Sequence, residues 1–163
     1  MKRLICFVLL FCFLFSGCTF VGERIKEPVT FYYVRENYRK NMDPVIASEV
    51  REASGHRDDL PYLLALYSMG PSNDELQSIL PRNTQITLTE YMDEGIVLTL
   101  SEGAAVMTDA DFTLAGACIS LTCMNLADIQ QVTLMCGERN ITIQKDKLLQ
   151  YHNLSPKPQE DVK

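Results

Sequence analysis

A hydrolase of the nucleophile type needs a serine or cysteine within reach of a histidine base, and the chain has two histidines, His56 and His152. His56 lies in a polar loop stretch and His152 near the tail, and neither sits in a Gly-x-Ser-x-Gly setting. Both therefore read as solvated side chains, not as bases. Paired carboxylates can divide acid and base work when their surroundings push their pKa values apart. Acidic pairs occur at Asp58/Asp59, Asp93/Glu94 and Asp109/Asp111. Each falls where a helix start or a hairpin loop favours an acidic side chain anyway, so caps and turns are the expectation. No second ligand pair follows Cys118-x4-Cys123, and there is no glycine-rich phosphate loop. Asn140-Ile141-Thr142 has the glycosylation pattern but falls on an expected hairpin, where it reads as chance. The residues thus indicate no enzyme, no catalytic group, no metal and no cofactor.

The six cysteines divide by position. Cys6, Cys12 and Cys18 belong to the first stretch, leaving Cys118, Cys123 and Cys136 for the folded part. On one helix, Cys118 and Cys123 would stand about 7.5 Å apart along the axis and roughly 140° around it. They would not bridge each other. A bond from Cys136 to one of them is geometrically open, but the favoured reading is three small buried apolar residues.

The elements that would position these residues begin with the first stretch. Lys2 and Arg3 precede an apolar run, Leu4 to Phe15, and Ser16-Gly17-Cys18 follows. The run is shorter than the roughly 18 to 20 residues a helix needs to cross a bilayer, so it reads as an export signal that is removed. Phe15-Ser16-Gly17-Cys18 resembles the lipobox of bacterial lipoproteins. That resemblance implies a lipid on Cys18, which becomes the mature N-terminus on the outer face of the cell membrane. An ordinary signal cleaved near Ser16 or Gly17 is the alternative. Two acyl chains anchor durably where one gives only marginal binding.

Removing Lys2 and Arg3 from the 15 basic residues leaves 13 against 21 acidic ones, about eight net negative charges on the mature chain. Such a surface repels phosphate backbones, and no basic cluster with interleaved aromatics appears, so nucleic acid is excluded as a partner. The expected partners are a membrane, through Cys18, and other envelope proteins or further copies of the chain. The organisation expected is a signal over 1–17, a tether over 18–28, one domain over 29–150 and a disordered tail over 151–163.

Val29 to Val34 is rich in β-branched and aromatic residues and reads as a strand, and Pro44 to Val50 as a weaker one. Asp58-Asp59 starts a helix with Leu60, Leu63, Leu64 and Tyr67 on one face, and Gly70-Pro71 ends it. Ser72-Asn73-Asp74 is expected to cap a short helical turn through Leu76, Ile79 and Leu80. Thr84–Glu90 and Gly95–Ser101 alternate apolar and polar residues across the loop Met92-Asp93-Glu94-Gly95, which makes a hairpin. Thr108-x-x-Asp111 opens a helix running to about Asn125, whose Ala115, Gly116 and Ala117 let it lie close on a sheet. Ile129–Met135 and Ile141–Ile143 close the domain as strands, joined by a turn over Gly137–Asn140. The order makes an α+β fold, a small sheet with two helices on one face.

Several landmarks in that order resemble the GerMN domain, the sporulation and spore germination family, over roughly Val29 to Ile143. They are Leu66-Tyr67-Ser68-Met69-Gly70-Pro71, Ile79-Leu80-Pro81-Arg82-Asn83-Thr84, Glu94-Gly95-Ile96-Val97-Leu98-Thr99-Leu100-Ser101, the helix through Leu121-Thr122, and Ile129-Gln130-Gln131-Val132-Thr133-Leu134-Met135-Cys136-Gly137. The resemblance implies a small mixed sheet similar to ring-building motif folds, carried on extracytoplasmic lipoproteins and used for contact between proteins. It implies no catalytic residue. A lipoprotein enzyme or small-ligand binder acting on envelope glycan, with Asp93 and Glu94 or the acidic helix starts as its polar groups, is the alternative.

Overall fold

The computed structural model describes residues 26–40 and 44–152, with side chains to residue 148. The lipid attachment expected at Cys18 and the leader over 1–17 lie outside the described residues, as does the tail expected over 151–163 except for Tyr151 and His152, which are helical. β1 (Pro28–Arg35) and β2 (Ile46–Glu52) pair antiparallel from Pro28 opposite Glu52 to Val34 opposite Ile46. A helix, α1 (Leu60–Ser68), follows, and then a two-residue strand, β3 (Leu76–Gln77). β3 pairs with Val34 and Arg35 on the other side of β1, giving a three-stranded sheet in the order β2-β1-β3. The helical turn expected through Leu76 does not form, because Leu76 is drawn into the core as a strand residue.

The second sheet holds β4 (Ile86–Tyr91), β5 (Gly95–Leu100), β6 (Gln131–Cys136) and β7 (Arg139–Gln144) in that order. β4 and β5 form the expected hairpin. A 3-10 turn over Glu102–Val106 then leads into α2 (Asp109–Leu126), which carries the chain over to β6, parallel to β5. β6 and β7 are joined by a tight turn at Gly137-Glu138, and α3 (Lys145–His152) ends the described chain. α3 is not foreshadowed by apolar periodicity, since its stretch is mostly polar. The fold class is α+β, as expected, with the strands divided between two sheets.

One apolar cluster joins the parts. Ile96, Leu98 and Leu100 of β5 and Val132, Leu134 and Cys136 of β6 point to the same side, while Thr99 and Thr133 point to the other. The wetter face carries threonine pairs, Thr89 with Thr99 and Thr133 with Thr142. α1 buries the four residues its periodicity selects, Leu60, Leu63, Leu64 and Tyr67. Its Tyr67 stacks on Tyr33 of β1 with ring centroids 4.7 Å apart, and the Tyr33 hydroxyl donates to the Tyr67 carbonyl at 3.1 Å. Burial pushes the hydroxyls of both tyrosines to titrate well above their ordinary range. α2 lies close on β7 because Gly116 has no side chain: a Cβ there would stand 3.1 Å from Ile141 Cγ2.

α2 also closes the edge of β1 that β3 leaves open. The Tyr32 N–H donates to Thr122 Oγ1 at 3.0 Å, and that hydroxyl donates to the Cys118 carbonyl at 2.9 Å. Thr122 is fully buried. Thr122→Val keeps its shape and removes the acceptor, stranding a strand N–H away from water, which costs about 1–3 kcal/mol. Urea unfolding of the two proteins checks this: the Thr122→Val midpoint should fall with the m-value unchanged.

Candidate functional site

The structure scatters the residues that could have done chemistry. The His56 ring is stacked on Tyr62, centroids 4.0 Å apart, and its Nδ1 lies 3.7 Å from Asp59 Oδ2. The other Asp59 oxygen is the cap of α1, accepting the Tyr62 N–H at 3.0 Å. Thr108 caps α2, accepting the Asp111 N–H on Oγ1 at 3.2 Å, and its hydroxyl donates to Asp111 Oδ2 at 2.9 Å in place of the backbone bond that would complete a capping box. Asp109 is 3.3 Å from Arg139, whose guanidinium lies over the Phe112 ring and donates twice to the Met107 carbonyl. These acids start helices and tie them down. Cys118, Cys123 and Cys136 are free and buried, and burial pushes the Cys118 and Cys123 thiols up to about 12. Among the described residues no group of histidine, cysteine and carboxylate side chains is placed to hold a metal ion.

Tyr38 and Arg39 extend this pair into a network that fastens the loop after β1 to the start of α2. The Tyr38 hydroxyl donates to Asp111 Oδ1 at 3.1 Å, and Arg39 donates to the same oxygen at 2.7 Å. The hydrogen bond from Thr108, joined by that of Arg39, holds the Asp111 carboxyl below its ordinary range. A carboxylate lowered in the folded state contributes stability above its unfolded pKa and loses it as pH falls through the folded one. Wild type should therefore lead Asp111→Asn in urea resistance at neutral pH, with the gap closing as pH is taken down through the carboxylate range. A gap that stayed constant with pH would contradict the assignment.

The Asp93/Glu94 pair does face a cavity. Met92, Asp93, Glu94 and Gly95, in the loop of the β4-β5 hairpin, meet Gln130, Gln131, Gln144 and Asp146 around an open cleft of about 670 Å3. Backbone bonds fix its floor: the Gln130 and Gln131 N–H groups donate to the Glu94 carbonyl at 2.9 and 3.2 Å, and the Met92 N–H to Gly95 O at 2.8 Å. Gln144 donates to Gln131 Oε1 at 3.2 Å. The lining is three carboxylates and three amides with one thioether, suited to accepting hydrogen bonds from a cationic or hydroxylated ligand. The glutamines were not foreseen. Their signal was their place beside the hairpin loop, visible only once β6 lies parallel to β5.

A different opening runs along β2. Arg35 N–H to Val45 O at 2.9 Å and Ala53 N–H to Glu27 O at 3.1 Å bracket the ladder, so the residues that exchange bonds with β1 are Ala47, Glu49 and Arg51. Ile46, Ser48, Val50 and Glu52 turn their N–H and C=O groups outward, and β2 is an outer strand of its sheet. Val50 is 50% exposed and Val45 37%. The other long edges are managed. β4 carries a register break between Leu88 and Glu90, and α3 packs beside β7.

The inward-facing side chains hold β2 rigid. Glu49 Oε2 accepts the N–H groups of Ser72 and Asn73 at 2.8 Å each, and Arg51 donates to the Gly70 carbonyl at 3.0 Å and the Leu66 carbonyl at 3.4 Å. A guanidinium on the last carbonyls of α1 opposes the negative end of its dipole. Gly70, at φ +86°, supplies the left-handed turn that brings those groups around. The Arg51 guanidinium also lies over the Phe31 ring, and its Nε stands 3.6 Å from Glu49 Oε1. Neither residue was singled out by sequence pattern, although charged residues alternating on one side of a strand were its trace.

No protein-family model matches the sequence, and no curated protein matches it. Among solved structures the fold is similar to the first GerMN domain of the sporulation protein GerM from Bacillus subtilis, with a TM-score of 0.49 and 14% identity, covering 70% of this chain and 85% of that one. It is similar to the tandem GerMN domains of the same protein, with a TM-score of 0.48 and 14% identity, covering 70% of this chain and 40% of that one. A Clostridium perfringens protein provisionally named a lipoprotein has a TM-score of 0.46 and 18% identity, covering 74% of this chain and 88% of that one. At these identities no activity transfers.

Proposed function

We infer that the chain is an envelope lipoprotein, held by lipid on Cys18, whose single GerMN-like domain is a non-catalytic module for contact with other proteins. The observation that carries this reading is the outer edge of β2, a regular seven-residue strand with outward backbone groups and exposed Val45 and Val50. Such an edge accepts a further strand in extended form, main-chain bonds giving affinity and alternate side chains giving choice. The sequence supplies the setting, since the leader and its cysteine export the chain and keep it at the membrane. The assembly served is one of sporulation or germination, and deletion should then lower spore yield or alter germination.

Cross-linking in native membranes followed by capture tests the module. Ser48→Pro removes an outward N–H while leaving the bonds to β1 in place. Wild type should return a defined protein partner that Ser48→Pro loses. Capture of nothing, or of the same partner by both, contradicts the reading.

The cleft beside Asp93 and Glu94 favours a second reading, a ligand binder or enzyme directed at envelope glycan. Titration of solubilised cell-wall fragments decides it. Binding that is abolished by Asp93→Asn with Glu94→Gln supports the cleft, and an absence of heat or shift removes it.

A further inference from the structure

A groove of about 420 Å3 lies beside the point where the chain enters β1, and Glu27, His56, Asp58, Pro61 and Tyr91 are among its walls. Tyr91 is 68% exposed there, a large ring left uncovered at the end of β4. Glu27 has φ 50°, a left-handed conformation that L side chains seldom adopt. It is held by two bonds from the turn after β2, Gly55 N–H to its Oε2 at 2.8 Å and Ala53 N–H to its carbonyl at 3.1 Å. That conformation turns the preceding chain out of line with β1, at the wall of the groove.

The segment that arrives at this wall is Thr19-Phe20-Val21-Gly22-Glu23-Arg24-Ile25-Lys26. It brings apolar Phe20, Val21 and Ile25, and the cations Arg24 and Lys26. The groove offers ring and proline surface from Tyr91 and Pro61, and three carboxylates, Glu27, Asp58 and Asp59, against one guanidinium, Arg57, so its balance of charge is negative. Phe20 is seven Cα steps from Glu27, a reach of up to about 25 Å, so the segment is long enough to lie back along the groove. An anionic lipid surface has no such match, because the carboxylates outnumber Arg57 and the net charge of the groove repels it.

The geometry points to residues 20–25 of the chain itself as the occupant of this groove, with Phe20 and Val21 on Tyr91 and Pro61 and Arg24 toward Asp58. The docked segment is length withdrawn from the tether, so the domain rides closer to whatever holds residue 18. Docking does not depend on lipid at Cys18 and stands or falls separately from the proposed function.

The test places a benzophenone-bearing amino acid at Phe20 of the full chain in its native envelope, followed by irradiation and peptide mapping. Adducts should map to the 55–61 stretch and Tyr91, and Arg24→Glu and Tyr91→Ala should each lower their yield by about fivefold or more. Tyr91 is exposed and Arg24 precedes the domain, so both variants should melt with wild type. Adducts on lipid, on another protein or elsewhere on the domain would overturn the proposal, as would yields unchanged in both variants.

Discussion

Gly95→Ala is expected to cost the domain about 3 kcal/mol, although it adds a single methyl group. Gly95 opens β5 directly opposite Gln131 of β6, and a Cβ built on it would lie 2.6 Å from the Gln131 carbonyl oxygen and 3.1 Å from the Gln131 Cβ. The contact is with backbone, which cannot swing aside as a side-chain end would. Either the parallel ladder between β5 and β6 opens at its start or the hairpin loop shifts. Both also break the bonds from Gln130 and Gln131 to the Glu94 carbonyl that floor the cleft. Urea denaturation should show the midpoint falling steeply, and the melting temperature should drop by roughly 10 °C. A loss under about 0.5 kcal/mol would mean that the two strands do not approach as described.

Arg51→Met should be comparably damaging, at about 3–5 kcal/mol, for an electrostatic reason. The substitution keeps bulk against Phe31 but removes the cation that faces Glu49 and the carbonyls of Leu66 and Gly70. Glu49 has a side chain only 8% exposed, so its carboxylate would remain nearly enclosed with the Ser72 and Asn73 amides as its sole partners. Much of the loss comes from stranding that charge. Glu49→Gln in the Arg51→Met background should therefore recover part of it, and the double-mutant cycle should show coupling above about 1 kcal/mol. Additive losses would contradict a shared network. Because the pair straightens the strand whose outer edge is offered to a partner, the same variants should weaken capture in the cross-linking experiment.

Much of the architecture was legible in sequence because the local signals agreed. The i, i+3, i+4, i+7 spacing of Leu60, Leu63, Leu64 and Tyr67 named the buried face of α1, Thr108 and Asp111 marked the start of α2, and alternation gave the β4-β5 hairpin with Ile96, Leu98 and Leu100 inward. The small residues before Cys118 correctly signalled a close helix, and Gly116 meets Ile141 and Ile143. The failures are tertiary. Leu76 lies in a strand because Val34 and Arg35 are there to pair with it, which no local period records. The polar stretch from Lys145 to His152 is helical without an apolar stripe to announce it.

The candidate surfaces were less legible than the fold. Asp93 and Glu94 were identifiable as a loop pair, but the cleft exists because α2 returns the chain to β6 and sets Gln130 and Gln131 beside them. The exposed edge of β2 follows from the sheet order, and so does the burial of Glu49 on its inner side. Edge position is a property of the assembled sheet, not of any heptapeptide within it.

The proposed role depends first on where the chain resides. Cells producing the full-length protein, fed an alkyne analogue of palmitate, allow label and intact mass to be read together on wild type and Cys18→Ala. The account requires a labelled wild-type protein in the membrane fraction, shortened by its first 17 residues and heavier by its lipid, with the label gone from Cys18→Ala. An unlabelled chain in the cytosol with its leader uncut, or label that survives the substitution, would contradict it.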